Sequence, residues 1–170
     1  MDTASNRADA IRDAFLDALR ARGATVRTMA KLAERMAEPK LRAVCLGLGR
    51  AGREVYFVGG VGFINVHVRS ESAGWWGILK SVKNDLDFLS SGHGGEAGVT
   101  SYYILLIGRG DHFVAGGYVV SDFSRPPMIK PPSEQATKYT INEKQHLDRS
   151  ALLLSVDSVA KALVARRLGP

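Results

Sequence analysis

The segment Val61-Gly62-Phe63-Ile64-Asn65-Val66-His67-Val68-Arg69-Ser70 decides how this chain folds, together with Trp75-Trp76-Gly77-Ile78-Leu79-Lys80-Ser81-Val82-Lys83-Asn84-Asp85-Leu86-Asp87-Phe88-Leu89. Side chains alternate across a β-strand. One face of the first segment carries Ile64, Val66 and Val68. The other carries Val61 and Phe63, then Asn65, His67, Arg69 and Glu71. An apolar face that ends in four polar side chains points to a site at the strand's end. In the second segment Trp75, Ile78, Leu79, Val82, Leu86 and Leu89 recur at helical spacing, which predicts a helix over Trp75–Leu89.

Other elements extend outward from this pair. Ala8, Ile11, Phe15, Ala18 and Leu19 share one face of a predicted helix over Arg7–Arg22, with Gly23 as its left-handed cap. A second helix is expected over Val26–Glu38, ended by Pro39, with Arg27, Lys31 and Arg35 as a basic row. Leu41–Leu48 and Arg53–Val58 read as a hairpin around Gly49-Arg50-Ala51-Gly52. Tyr102–Ile107 reads as a buried central strand, and Gly108-Arg109-Gly110-Asp111 turns into His112–Val120 as its partner. Ser90–Gly98 is glycine-rich, and Ser124–Ser133 holds four prolines and reads as loop. Asn142 with Gln145 resembles a capping box, and Ser155 caps a last helix over Val156–Leu168.

The expected fold class is α/β (α+β). A single mixed sheet of about five strands is flanked by helices, in the order α-α-β-β-β-α-β-β-α, within one domain over residues 1–170. The length suits one domain with a real core. An apolar fraction of 45% and a charged fraction of 24% are those of an ordinary globular protein. With Cys45 alone, an intrachain disulfide and a cysteine-based zinc site are both excluded. Charges at Arg7, Asp9, Arg12, Asp13 and Asp17 interrupt any signal-peptide core, and the longest apolar run is too short to span a bilayer. The expected setting is cytoplasmic.

The net charge is +6. Nine cations lie between Arg20 and Arg53, opposed only by Glu34 and Glu38, so the surplus is concentrated there. A local basic region is the electrostatic footprint of a polyanion, nucleic acid first and DNA in particular. The candidate contacts are Arg20, Arg22, Arg27, Lys31, Arg35, Lys40, Arg42 and Arg50. Asn65, His67 and Arg69 join them from the strand, and Lys80 and Lys83 from the following helix. Trp76 lies beside the apolar stripe, where it could stack on a base. A solvated face is the competing account of the cations. A solvated sheet face is the competing account of Asn65, His67 and Arg69.

Gly47-Leu48-Gly49-Arg50-Ala51-Gly52 spells G-x-G-x-x-G, but a strand-like segment follows it. A dinucleotide fingerprint needs a helix there, so these glycines are turn residues. His67, His93, His112 and His146 show no pair at metal-ligand spacing, and no G-x-S-x-G elbow is present. Cys45 reads as a buried thiol, and Arg109-Gly110-Asp111 as a turn.

The order of elements resembles the core of the PD-(D/E)xK, or restriction-endonuclease-like, superfamily, in which a helix is followed by three strands, a helix and a further strand. Phe63-Ile64-Asn65-Val66-His67-Val68-Arg69-Ser70 falls where that family has its third-strand motif. The resemblance covers about residues 7–121. It implies Glu54 in place of the acidic residue, His67 in place of the Glu or Gln, and Arg69 in place of the Lys. Active members hold a divalent metal there. His67 is not the hard oxygen ligand that magnesium prefers, and Arg69 stays protonated and cannot act as a base. The expectation is therefore a nucleic-acid-binding module on a nuclease-like scaffold, serving DNA processing or defence, with no cofactor. A metal-dependent endonuclease with an atypical triad, using magnesium, is one alternative. A non-enzymatic interaction protein is the other, its basic face meeting an acidic protein or an anionic membrane surface; a protein partner or a homo-oligomer is also open.

Overall fold

The computed structural model describes residues 4–70, 73–90, 100–109, 112–121 and 137–167. The central sheet holds β1 (Val26–Thr28), β2 (Val55–Val58), β3 (Gly62–Ser70), β5 (Thr100–Arg109) and β6 (His112–Val120), side by side in that order. β1, β2 and β3 are antiparallel neighbours. β5 runs parallel to β3, with Asn65 opposite Tyr103 and Arg69 opposite Ile107, and β6 returns antiparallel. A parallel neighbour requires a crossover. It is made by β4 (Trp75–Leu79) and α4 (Lys80–Phe88). β4 pairs with β7 (Lys138–Asn142) in a second, two-stranded sheet.

Alternation along the strands builds two cores. Ile64, Val66, Ile104 and Leu106 point to one side. There they meet Phe15 and Leu19 of α1 (Ala4–Ala21), and Val159 and Leu163 of α6 (Val156–Val164). Phe63, Tyr103, Leu105 and Ile107 point to the other side. That side is covered by α2 (Met29–Ala33), α3 (Pro39–Leu48), α4 and the β4–β7 sheet. The arrangement is α+β, a mixed sheet flanked by helices, as the hydrophobic pattern implies.

Three local expectations are corrected. Val26–Thr28 is a strand, paired with Tyr56–Val58, and the Thr28 side chain accepts the Lys31 N–H to start α2. Arg27, Lys31 and Arg35 therefore do not form one helical row. The segment after Pro39 is a helix, and there is no hairpin at 49–52. Pro39 occupies the first turn, where its missing N–H costs nothing, and Glu38 accepts the N–H groups of Lys40 and Leu41. Trp75–Leu79 is a strand, and the helix begins at Lys80. Trp76 and Ile78 face inward at period two, then Val82 and Leu86 at helical spacing. Ile78 belongs to both patterns, which is why the stripe reads as one helix.

Gly23 adopts φ +83° after α1. Asn142 caps α5 (Glu143–His146), and Ser155 caps α6. The sequence 47–52 joins a helix to a strand, so the rejected dinucleotide loop stays rejected. The Ser124–Ser133 loop, Glu71, His93, Gly110-Asp111 and all but Ser90 of the Ser90–Gly98 segment lie outside the described residues.

Candidate functional site

Asn65, His67 and Arg69 share the β3 face that looks toward the β4–β7 sheet. Asn65 is fully buried. Its Nδ2 donates to the carbonyls of Arg53 (2.8 Å) and Glu54 (3.2 Å). That leaves Oδ1 as the acceptor 2.5 Å from His67 Nε2. His67 must then carry its hydrogen on Nε2 and keep a lone pair on Nδ1. Burial lowers its pKa to about 4, helped by the positive charges of Arg12 and Lys138. At neutral pH His67 is an uncharged acceptor whose one N–H is already used. It adds neither a cation nor a donor for an anion.

Arg69 is buried, and its guanidinium is held inside the protein. Nη1 donates to the Ser70 carbonyl (2.8 Å), and Nη2 pairs with Glu143 Oε1 (2.5 Å) at the start of α5. The guanidinium lies over the Trp76 ring, 4.4 Å from its centroid. Tyr118 Oη donates to the other Glu143 oxygen (2.6 Å), and Trp76 Nε1 donates to the Leu106 carbonyl (3.0 Å). Burial and the Glu143 carboxylate raise the Tyr118 pKa, so its phenol stays protonated. This network clamps β3, β4, β6 and α5 together. Trp76, 2% exposed, is a core residue there and offers no ring to a base.

The Glu54 carboxylate lies on the opposite side of the sheet. It sits 3.2 Å from Arg12 Nε of α1 and accepts from Tyr56 Oη (2.7 Å). Its backbone has φ +54°, a left-handed conformation costly for a side chain longer than Asn or Asp. Four bonds hold it there: the Asn65 amide and Val66 N–H on its carbonyl, and Arg12 and Tyr56 on its carboxylate. The fold therefore does not bring Glu54, His67 and Arg69 to one point. No group of three His, Cys, Asp or Glu side chains comes together in metal-binding fashion among the described residues.

The cations of the basic segment divide into two kinds. Arg20 pairs with Asp17 (3.2 Å) and Arg22 with Asp157 (2.8 Å). Lys83 pairs with Asp87 (2.5 Å) and lies near the Tyr139 ring. Lys80 opens α4 and is half-buried. Arg27, Lys31, Arg35, Lys40, Arg42 and Arg50 have no described carboxylate within ion-pair distance. All but the half-buried Arg27 are exposed. Glu38 is engaged by two backbone N–H groups, which lower its pKa. Lys40 rests against the Phe88 ring (5.2 Å), and Arg42 donates from Nε and Nη2 to the Met36 carbonyl.

Glu143 meets Arg69 at the end of β3 and accepts from Tyr118, Arg12 holds Glu54, and the Lys138 charge acts on His67; the sequence marked none of these four as site residues. Each comes from a distant part of the chain. The one local signal was the capping box at Asn142, which placed Glu143 at a helix start. Cys45 is buried, and burial raises its thiol pKa, in keeping with an inert core cysteine. No protein-family model matches this chain, and no curated protein sequence matches it.

Proposed function

We propose that this protein binds nucleic acid, DNA in the first place, through the basic segment from Arg27 to Arg50. The observation that carries the reading is the separation of the cations. Arg20 and Arg22 at the C-terminal end of α1, Arg69 on β3 and Lys83 on α4 are matched by carboxylates, whereas six cations between Arg27 and Arg50 have no described carboxylate partner. Unmatched exposed cations are solvated, keep their counterions, and can exchange them for phosphates. What supports the nuclease-like scaffold is α1 followed by β1, β2 and β3 side by side in the sheet, with α2 and α3 inserted between β1 and β2, and a crossover through β4 and α4 to a parallel β5. Binding is favoured over cleavage because Glu54 and Arg69 serve opposite faces of the sheet. The polar end of β3 acts as a structural clamp in this reading, and the contact surface lies on α2, α3 and their flanks.

The test is a titration with duplex DNA across a salt series, with and without magnesium. Replacing Arg27, Lys31 and Arg35 by Ala should weaken binding to every sequence alike. It should flatten the log–log salt slope by about 0.9 for each lost phosphate contact. An unchanged slope in the triple variant rejects the proposal. Magnesium-dependent nicking that disappears in Glu54→Gln would favour an endonuclease instead. Retention of an acidic protein without DNA binding would favour the interaction reading.

A further inference from the structure

The outward face of α3 is unaccounted for by packing. The helix is buried along Leu41, Cys45 and Leu48. At about 100° per residue, its opposite side carries Ala43, Leu46 and Gly47, flanked by Lys40 and Arg42, with Arg50 just beyond the end. Arg42, Ala43, Leu46 and Arg50 are exposed, and a Cβ placed on Gly47 would meet open space. Leu46 is 51% exposed, one of three large apolar side chains so placed among the described residues. The face is thus a shallow strip, apolar and small in the middle, with a guanidinium near each end. The first-turn N–H groups of Lys40 and Leu41 are occupied by Glu38, so the helix end itself offers a phosphate little. Arg42 is aimed by its two bonds to the Met36 carbonyl, at 3.0 and 2.7 Å.

Resting on the nucleic-acid reading above, we infer that α3 enters the major groove of double-stranded DNA along this face. A helix with its side chains is about 10–12 Å across, and the B-form major groove is about 12 Å wide. Ala43 and Gly47 leave room for the helix backbone to approach the base edges. Leu46 offers apolar contact of the kind a thymine methyl group takes. Arg42 stands in the first turn of α3 and Arg50 just past its last, so that each end of the small centre has a cation able to meet a phosphate. Charge complementarity selects a polyanion, and the small, apolar centre selects one with a groove to fill. Duplex RNA fails this criterion, because its major groove is too deep and narrow to admit a helix.

The experiment uses the full chain and three probes: a mixed-sequence DNA duplex of about 20 base pairs, two helical turns, the same sequence as an RNA duplex, and its single DNA strand. The DNA duplex should bind at least about tenfold more tightly than either other probe at equal salt. Gly47→Leu and Ala43→Phe fill the face without altering any charge. Each should weaken DNA-duplex binding about tenfold or more, with the salt slope kept and the melting temperature not lowered. Equal affinity for the DNA and RNA duplexes overturns the inference. So does wild-type affinity in either variant. Both results leave salt-dependent binding, and hence the proposed function, standing. Absence of salt-dependent binding to all three probes rejects both.

Discussion

His67 is the residue whose protonation state the structure sets most firmly. Asn65 is locked by two backbone carbonyls, so it presents only an acceptor to the imidazole. The ring is neutral, with a pKa lowered from 6.5 to about 4. The unfolded chain would bind a proton there at a higher pH than the folded one. Stability therefore rises with pH through this window, is fully present above pH 6.5, and is lost as pH falls toward 4. His67→Gln should remove this part of the acid sensitivity. The check is urea denaturation of both proteins at intervals from pH 7.0 to 4.0. Parallel pH profiles would show that His67 is not held neutral. Arg69 illustrates the opposite case, a permanent charge kept inside by a carboxylate and an aromatic face. Removing one partner of such a pair typically costs about 3–5 kcal/mol, because the other is left buried and unmatched.

Among the elements, β6 and α3 use glycine in opposite ways. At Gly117 a Cβ would fall 2.3 Å from the Leu105 carbonyl oxygen, and the Gly117 N–H and C=O both bond Leu153. At Gly116 a Cβ would fall 2.4 Å from the Leu153 carbonyl oxygen. β6 is therefore squeezed between β5 and the segment before α6, and only glycine fits. Gly117→Ala should destabilise by about 1–3 kcal/mol, the range for overpacking a close contact. Gly47 lies within α3 with open space outside it, so Gly47→Ala should stabilise by about 0.5–1 kcal/mol. Opposite shifts of the urea midpoint at unchanged slope are expected. Equal shifts would mean that the crowding at β6 relaxes without cost. The helix–strand boundary at Leu79 and Lys80 belongs to this scale as well. There the Lys80 N–H is taken by the Thr137 carbonyl, and the ladder to β7 stops.

For the whole molecule, the two cores share the same strands. Ile64 and Phe63, or Ile104 and Leu105, are neighbours in sequence that belong to opposite sides of one sheet. Neither core can melt without releasing β3 and β5. The Arg69–Glu143 pair adds a link from β3 to α5, and Arg22–Asp157 joins α1 to α6. A single cooperative unfolding transition is expected, with far-ultraviolet dichroism and tryptophan fluorescence coinciding. Two separated transitions would show that the β4–β7 layer unfolds on its own. The six unmatched cations occupy β1, α2, α3 and the turns that follow each of these two helices, apart from these internal pairs.

Much of this architecture is written locally. The alternation at Gly62–Ser70, the apolar run in β5, the stripe of α1, and the caps at Gly23, Asn142 and Ser155 need only their own neighbours to be understood. They determined a mixed sheet with helices, and they placed the polar end of β3. The excess of cations in one third of the chain was equally plain. Tertiary structure decided the rest. β1 and β4 are strands because Val55–Val58 and Lys138–Asn142 supply their hydrogen bonds, and a strand is completed only by a partner elsewhere in the chain. Arg69 became a clamp because Glu143, 74 residues away, came to meet it. Glu54 went to the far face because Arg12 and Tyr56 hold it there. Side-chain period says which face a residue can use. Which distant group waits on that face is settled only when the chain closes on itself.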